Sequence, residues 1–321
     1  MKLFIFGNGF DRAHNLPTKY CQFREWLIKK YDVCVEDEEI DLPDYRTNYK
    51  DLEGYDEKQF ANFFVHLIDD ADSNSEIEDK WCCFEEDLAK LRWELILDSV
   101  EYEYDDENDF EPWKTENKLS IKAQTCGDSN HILRTYFREW ITYINELINE
   151  MGDDSKKPFF EKVFGDSDKY LTFNYTNTLE QLYKIKNVCH IHGSIAKWEE
   201  LIFGHCDPGY PQKDFKEYEY NAYEIFERIY KGYIKDTKKQ IERNLEFFNS
   251  INGVDEIYLF GLSFGDVDAP YFRHVFKICQ QLKTINLNVF EAGQYDSIMT
   301  KLKEYGAKCD IKNGLLNKKE G

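Results

Sequence analysis

The segment that most constrains this chain is Leu3-Phe4-Ile5-Phe6-Gly7-Asn8-Gly9-Phe10-Asp11. A short apolar run stopped by glycine reads as a buried strand. Two glycines directly after it permit a tight turn and a close approach of a phosphate to backbone N–H groups. The third glycine of the usual dinucleotide fingerprint is replaced by Arg12. An ordinary strand-to-loop turn explains the same residues.

Further strand signals lie far downstream, at Tyr170–Asn174, Val188–His192, Leu201–Gly204, Glu256–Gly261 and Ile285–Phe290. Between them the apolar spacing is helical. A helix is predicted from Tyr20 to Lys30, and residues 31–58 read as an acidic loop. Phe60, Phe63, Phe64, Leu67 and Ile68 form one helical run; Trp81, Phe84, Leu88 and Leu91 form another. Leu133, Phe137, Trp140, Ile144, Leu147 and Met151 form a third, after a solvated acidic loop at Tyr102–Glu111. A long helical region covers about residues 213–250. The expected fold class is α/β: a doubly wound, mostly parallel, Rossmann-like sheet with a large helical insertion after its first strand. Residues 1–25 and 153–321 would form the nucleotide-binding domain and 26–152 the insertion.

The net charge of −21 disfavours nucleic acid as a partner. No apolar stretch approaches the length of a membrane span. Nine cysteines, with no CxxC pair and no secretory segment, read as reduced thiols in a cytoplasmic protein, and no metal is expected.

Three strand ends carry groups suited to chemistry. Thr172-Phe173-Asn174 would present an amide at a carboxyl edge, where open α/β sheets bind ligands; a strand-end asparagine that caps the helix start at Asn177-Thr178-Leu179-Glu180 is the plainer account. His190 and His192 alternate on one strand, so they share a face. His190 reads as a satisfied core residue and His192 as a general base. Gly261, Ser263, Asp266 and Asp268 follow an apolar strand and suit a phosphate or ribose, or a helix cap. Gly261-Leu262-Ser263-Phe264-Gly265 also spells a nucleophile elbow. The only later histidine, His274, follows too closely for an acid-bearing strand to precede it, which ranks a serine hydrolase below a nucleotide binder.

Together these segments resemble the AbiH family of bacteriophage abortive-infection proteins. Gly7–Asp11, His14, Leu16-Pro17-Thr18 and Tyr20 look like its amino-terminal signature. The Trp81–Leu88 helix, Asn174-Tyr175, His192-Gly193-Ser194 and the Gly261–Asp268 turn are also similar. That family is in turn distantly similar to sirtuins and sirtuin-like NAD hydrolases of bacterial defence, whose motifs run in the same order. The resemblance makes Asn174 and His192 the catalytic residues, with NAD as substrate or ligand. It implies that Gly7, Asn8, Gly9, Phe10, Asp11, Thr172, Gly261, Ser263, Asp266 and Asp268 hold the nucleotide. Three features depart from the sirtuin pattern: Gly-Asn-Gly-Phe-Asp replaces Gly-Ala-Gly, Thr176 stands where an aspartate is usual, and the paired-CxxC zinc module is absent. The last argues against an acetyl-lysine peptide substrate. The expected function is antiphage defence by binding and hydrolysis of NAD or a related nucleotide. A non-catalytic nucleotide sensor is the alternative. Expected partners are the nucleotide and a phage trigger or partner protein, and a homo-oligomer stays open.

Overall fold

The computed structural model describes residues 1–35, 57–73, 88–195, 200–207, 209–210, 215–288 and 295–313. They cluster into two compact units. The first comprises Met1–Lys19, Ile141–Phe203 and Lys235–Gly321, and the second Tyr20–Trp140 and Gly204–Ile234.

The first unit is built on an open, all-parallel, six-stranded sheet. Its strands are β1 (Lys2–Phe6), β2 (Lys169–Thr172), β3 (Cys189–His190), β4 (Glu256–Phe260), β5 (Thr284–Asn288) and β6 (Asp310–Asn313). Their spatial order is β3-β2-β1-β4-β5-β6, that of the Rossmann dinucleotide-binding sheet, which reverses beside β1. Leu3, Phe4, Ile5 and Phe6 are all fully buried because β1 is covered on both faces. Leu3 and Ile5 join an aliphatic core with Leu171, Leu259 and Leu287, sealed by Tyr271, Phe272 and Val275 of the Ala269–Ile278 helix. Phe4 and Phe6 join an aromatic core with Tyr170, Phe260, Phe160 and Leu179. Phe4 stacks between its two register partners, Tyr170 at 5.4 Å and Tyr258 at 4.9 Å. Such cross-strand aromatic pairs fix register as well as burying area.

The second unit is helical. The Glu57–Ser73 helix buries Phe60, Phe63, Phe64, Leu67 and Ile68, and Trp93 meets the rings of Phe63 and Phe64 at 6.0 Å. The helix expected around Leu133–Met151 starts much earlier and runs from Pro112 to Glu150. Leu119, Ala123 and Cys126 are also buried and extend the same apolar period back through Gly127. Among the described residues, no helix is long and apolar enough to cross a membrane.

Several local expectations change. Trp81 and Phe84, most of the 31–58 loop, and the strand end at Val289-Phe290 lie outside the described residues. Leu88–Lys90 and Trp93–Ser99 are 3-10 turns, not an α-helix; the three-residue spacing of Leu88 and Leu91 suits either winding. Leu201–Gly204 joins no ladder. Its backbone closes on the turn after β3 instead, where Ile202 N–H donates to the His192 carbonyl at 2.8 Å. The helical stretch near 213–250 breaks into Tyr220–Gly232, Thr237–Arg243 and Leu245–Ser250. β6 is an unpredicted edge strand; its Asp-Ile-Lys-Asn sequence has no buried face to betray it.

Candidate functional site

Register brings four strand ends level at the carboxyl edge. Phe6 pairs with Thr172 and with Phe260, and Thr172 pairs with His190. The residues that follow, Gly7, Asn174, His192 and Gly261, therefore emerge together beside the reversal point, all within the first unit.

The glycines serve each other. Gly7 N–H donates to the Phe260 carbonyl and Gly9 N–H to the Gly261 carbonyl, both at 2.9 Å, while Phe10 N–H bonds the Gly7 carbonyl. A Cβ on Gly9 would lie 2.5 Å from Gly261 Cα. Gly261 itself has φ +62°, and its Cβ would meet Gly9 Cα and Phe10 N at 2.4 Å. The close approach that the glycines permit is thus between two turns of the protein. The N–H groups of Gly7, Gly9 and Phe10 are thereby bonded to carbonyls.

Asp11 locks the same turn to the next strand end. It is buried, and its two oxygens accept hydrogen bonds from Thr176 Oγ1 (2.6 Å) and Thr178 Oγ1 (2.7 Å). Thr176, the departure from the sirtuin pattern, is therefore one of the donors that Asp11 needs. Burial pushes the Asp11 carboxyl up to about 6, against the pull of these hydroxyls and Asn174. Asn174 donates its amide N–H to the Gly7 carbonyl at 3.1 Å, and its own backbone N–H bonds Thr172 Oγ1 at 3.0 Å. His190 sits behind it, with Nε2 2.7 Å from Glu180 and Nδ1 3.2 Å from the Asn174 carbonyl. It is the satisfied core histidine that the sequence predicts.

His192 is not on the strand, which ends at His190, but in the turn after it. Its ring is 1% exposed. Nδ1 lies 3.3 Å from the Phe173 carbonyl and Nε2 3.3 Å from Lys235 Nζ. Asp268 Oδ1 is 3.8 Å from the same Nε2, too far for a direct hydrogen bond. Burial, and then the Lys235 charge, hold the imidazole well below its usual pKa, with the Phe173 bond pulling the other way. Burial and the Lys235 charge both favour the neutral ring. A neutral imidazole, an ammonium and a carboxylate thus converge, all at most 8% exposed. Such a group can take up, donate and stabilise a proton. Lys235 was not foreseen: it falls inside the stretch read as one long helical region, and only the fold buries it.

The other expected ligand contacts scatter. Phe10 is core, 4.7 Å from Phe6 and 5.0 Å from Phe160. Asn8 donates to the Thr18 carbonyl at 2.7 Å, which ties Leu16-Pro17-Thr18 to the turn. Ser263 and Asp266 are exposed. His274, the only histidine an elbow serine could use, packs its ring on Phe248 at 4.8 Å. Gly193 has φ +81°, and a Cβ there would strike the Glu200 carbonyl at 2.2 Å, so its role is to admit the returning chain. Ser194, fully buried, donates to Asn177 Oδ1 at 2.8 Å. Ser194→Ala strands that acceptor and is expected to lower stability by about 1–2 kcal/mol, measured by urea unfolding; an unchanged midpoint would contradict the bond.

A family model described as bacteriophage abortive infection AbiH matches residues 3–290. No curated protein and no solved structure matches the chain.

Proposed function

The chain belongs to the bacteriophage abortive infection AbiH family, and from that premise we propose that it binds NAD or a related nucleotide at the carboxyl edge of its sheet and cleaves the N-glycosidic bond. One observation carries this reading. The strand ends that carry Asn174 and His192 are neighbours in register at the carboxyl edge, beside the reversal point of a Rossmann-ordered sheet, where ligands of such sheets bind.

In the reaction, water adds to ribose C1′ and the C1′–N bond breaks. Nicotinamide leaves with the bonding electron pair and is neutral. The proton lost by the water, or by a ribose hydroxyl, passes to His192 Nε2. A neutral imidazole is the form a general base needs. Asn174 orients the ribose or the water, and hydrogen bonds aimed at the oxocarbenium-like transition state supply much of the acceleration. Asp268 lies close enough to favour an imidazolium once it forms.

The test is nicotinamide release from NAD by the purified chain, alone and with phage lysate as trigger. His192→Ala and Asn174→Ala are expected to lower the rate roughly 10²–10⁴-fold, measured below the melting transition of each variant, because each truncation also removes a buried hydrogen-bonded group. Absence of turnover under every condition would sink the hydrolase. A second reading, a sensor that binds without turnover, is favoured by the resting geometry: the Asn174 amide is engaged by Gly7 and the His192 lone pair by Lys235. Saturable binding without nicotinamide release would support it.

A further inference from the structure

Lys235 is a buried lysine, 6% exposed, carried on the segment that leads into the Thr237–Arg243 helix. Its ammonium reaches His192 Nε2 at 3.3 Å. A neutral imidazole has one N–H and one lone pair. Nδ1 faces the Phe173 carbonyl, which only accepts, so Nδ1 holds the proton and Nε2 the lone pair. Lys235 donates into that lone pair. While it does, neither a water nor a ribose hydroxyl can pass a proton to His192.

We propose that Lys235 is a latch on His192 released by anionic ligands: its ammonium exchanges the imidazole for a phosphate oxygen of the bound nucleotide and so frees Nε2. This rests on the nucleotide reading above and narrows it to ligands that carry an oxyanion.

Three observations support the exchange. The N–H groups of Gly7, Gly9 and Phe10 are bonded to Phe260, Gly261 and Gly7 carbonyls, so these three are not available to a phosphate. With an oxyanion both partners of the ammonium's bond are charged, whereas with the neutral imidazole only the donor is, which favours leaving the imidazole when a phosphate arrives. The lysine stem is flexible and bears three donors, so Nζ can turn while the backbone stays fixed by the bond from Thr237 N–H to the Lys235 carbonyl, 2.9 Å. Asp268 also faces His192, 3.8 Å away; its carboxylate remains to stabilise the imidazolium after the ammonium has turned away. A neutral nucleoside lacks the oxyanion and leaves the latch shut. His192 then becomes basic only when a ligand of the right charge is in place.

Calorimetric titration of the full chain with ADP-ribose, and with adenosine as the phosphate-free control, tests this. Lys235→Met is expected to weaken ADP-ribose roughly 10- to 100-fold, the loss of one charge-assisted bond, and to leave adenosine unchanged. In the unaltered chain, ADP-ribose should shift the His192 Nε2 resonance, identified by its absence from His192→Gln, and adenosine should not. That measurement needs no lysine variant; if Lys235→Met fails to fold, Lys235→Gln replaces it in the calorimetry. Equal ADP-ribose affinity in variant and parent, an equal loss for adenosine, or an unmoved His192 resonance on ADP-ribose binding each overturns the latch and leaves the nucleotide reading intact. A parent chain that binds neither compound overturns that reading itself, and the latch with it.

Discussion

Gly261→Ala is expected to cost about 4 kcal/mol or more of folding free energy, or a fall in melting temperature of roughly 10 °C. Two independent effects add. The residue sits at φ +62°, where a Cβ costs roughly 1–2 kcal/mol. The Cβ would also stand 2.4 Å from Gly9 Cα and Phe10 N, backbone atoms held by the Gly9–Gly261 hydrogen bond. Neither turn can yield without breaking the end of β1 or β4. Gly306→Ala separates the two effects: φ is +106°, but nothing lies within 4 Å of the added carbon. It should therefore cost only about 1–2 kcal/mol. Equal losses at the two positions, measured by thermal and urea unfolding, would show that the contact between the turns contributes nothing.

The second large effect belongs to Asp11. Asp11→Ala removes the acceptor of two buried hydroxyls, Thr176 and Thr178, and is expected to cost about 2–4 kcal/mol. Asp11→Asn keeps a comparable shape and removes the titration. The carboxyl ionises near 3.8 in the unfolded chain and at about 6 when folded. Below the lower value both states hold the proton. Between the two, the unfolded chain releases it and the folded chain does not, so rising pH draws the equilibrium toward unfolding. Above the upper value both are ionised and the penalty is constant. Its full size is about 3 kcal/mol. Urea unfolding from pH 5 to 7.5, clear of the pI near 4.8, should capture roughly half of it as a decline in the parent relative to Asp11→Asn. Parallel profiles would mean that Asp11 ionises normally.

These two residues also show what the sequence could and could not reveal. The turn at Gly7–Asp11 is legible because glycine after an apolar strand has few uses. Its purpose was not, since the atoms that demand glycine belong to Gly261, about 250 residues away, and no local pattern announces a partner at that distance. Asn174 and His192 are legible as polar groups that end apolar strands. Lys235 is not: among Lys231, Lys238 and Lys239 it is one more surface-type lysine until the fold buries it. Thr176 looked like a defect in a motif; its hydroxyl is a donor to Asp11. The return of Gly204–Ile234 to the helical unit has no signature either, because the Tyr220–Gly232 helix carries the same amphipathic spacing it would carry anywhere. β6 escapes notice for the opposite reason, as an edge strand with nothing to bury.

The central position of β1 has a consequence for how the chain is made. Its residues Lys2–Phe6 find their neighbours at Lys169–Thr172 on one side and Glu256–Phe260 on the other. At common translation speeds of about 5–20 residues per second, β1 waits roughly ten to thirty seconds for its first partner and longer for its second. Throughout that interval Leu-Phe-Ile-Phe is a bare, uncharged, β-prone segment, the kind that pairs with copies of itself. Pairings so distant along the chain also form slowly once both strands exist. A ribosome-associated chaperone that covers the nascent β1 is therefore expected to raise the soluble yield of this chain, measurable as the soluble fraction in cell-free synthesis with and without such a factor.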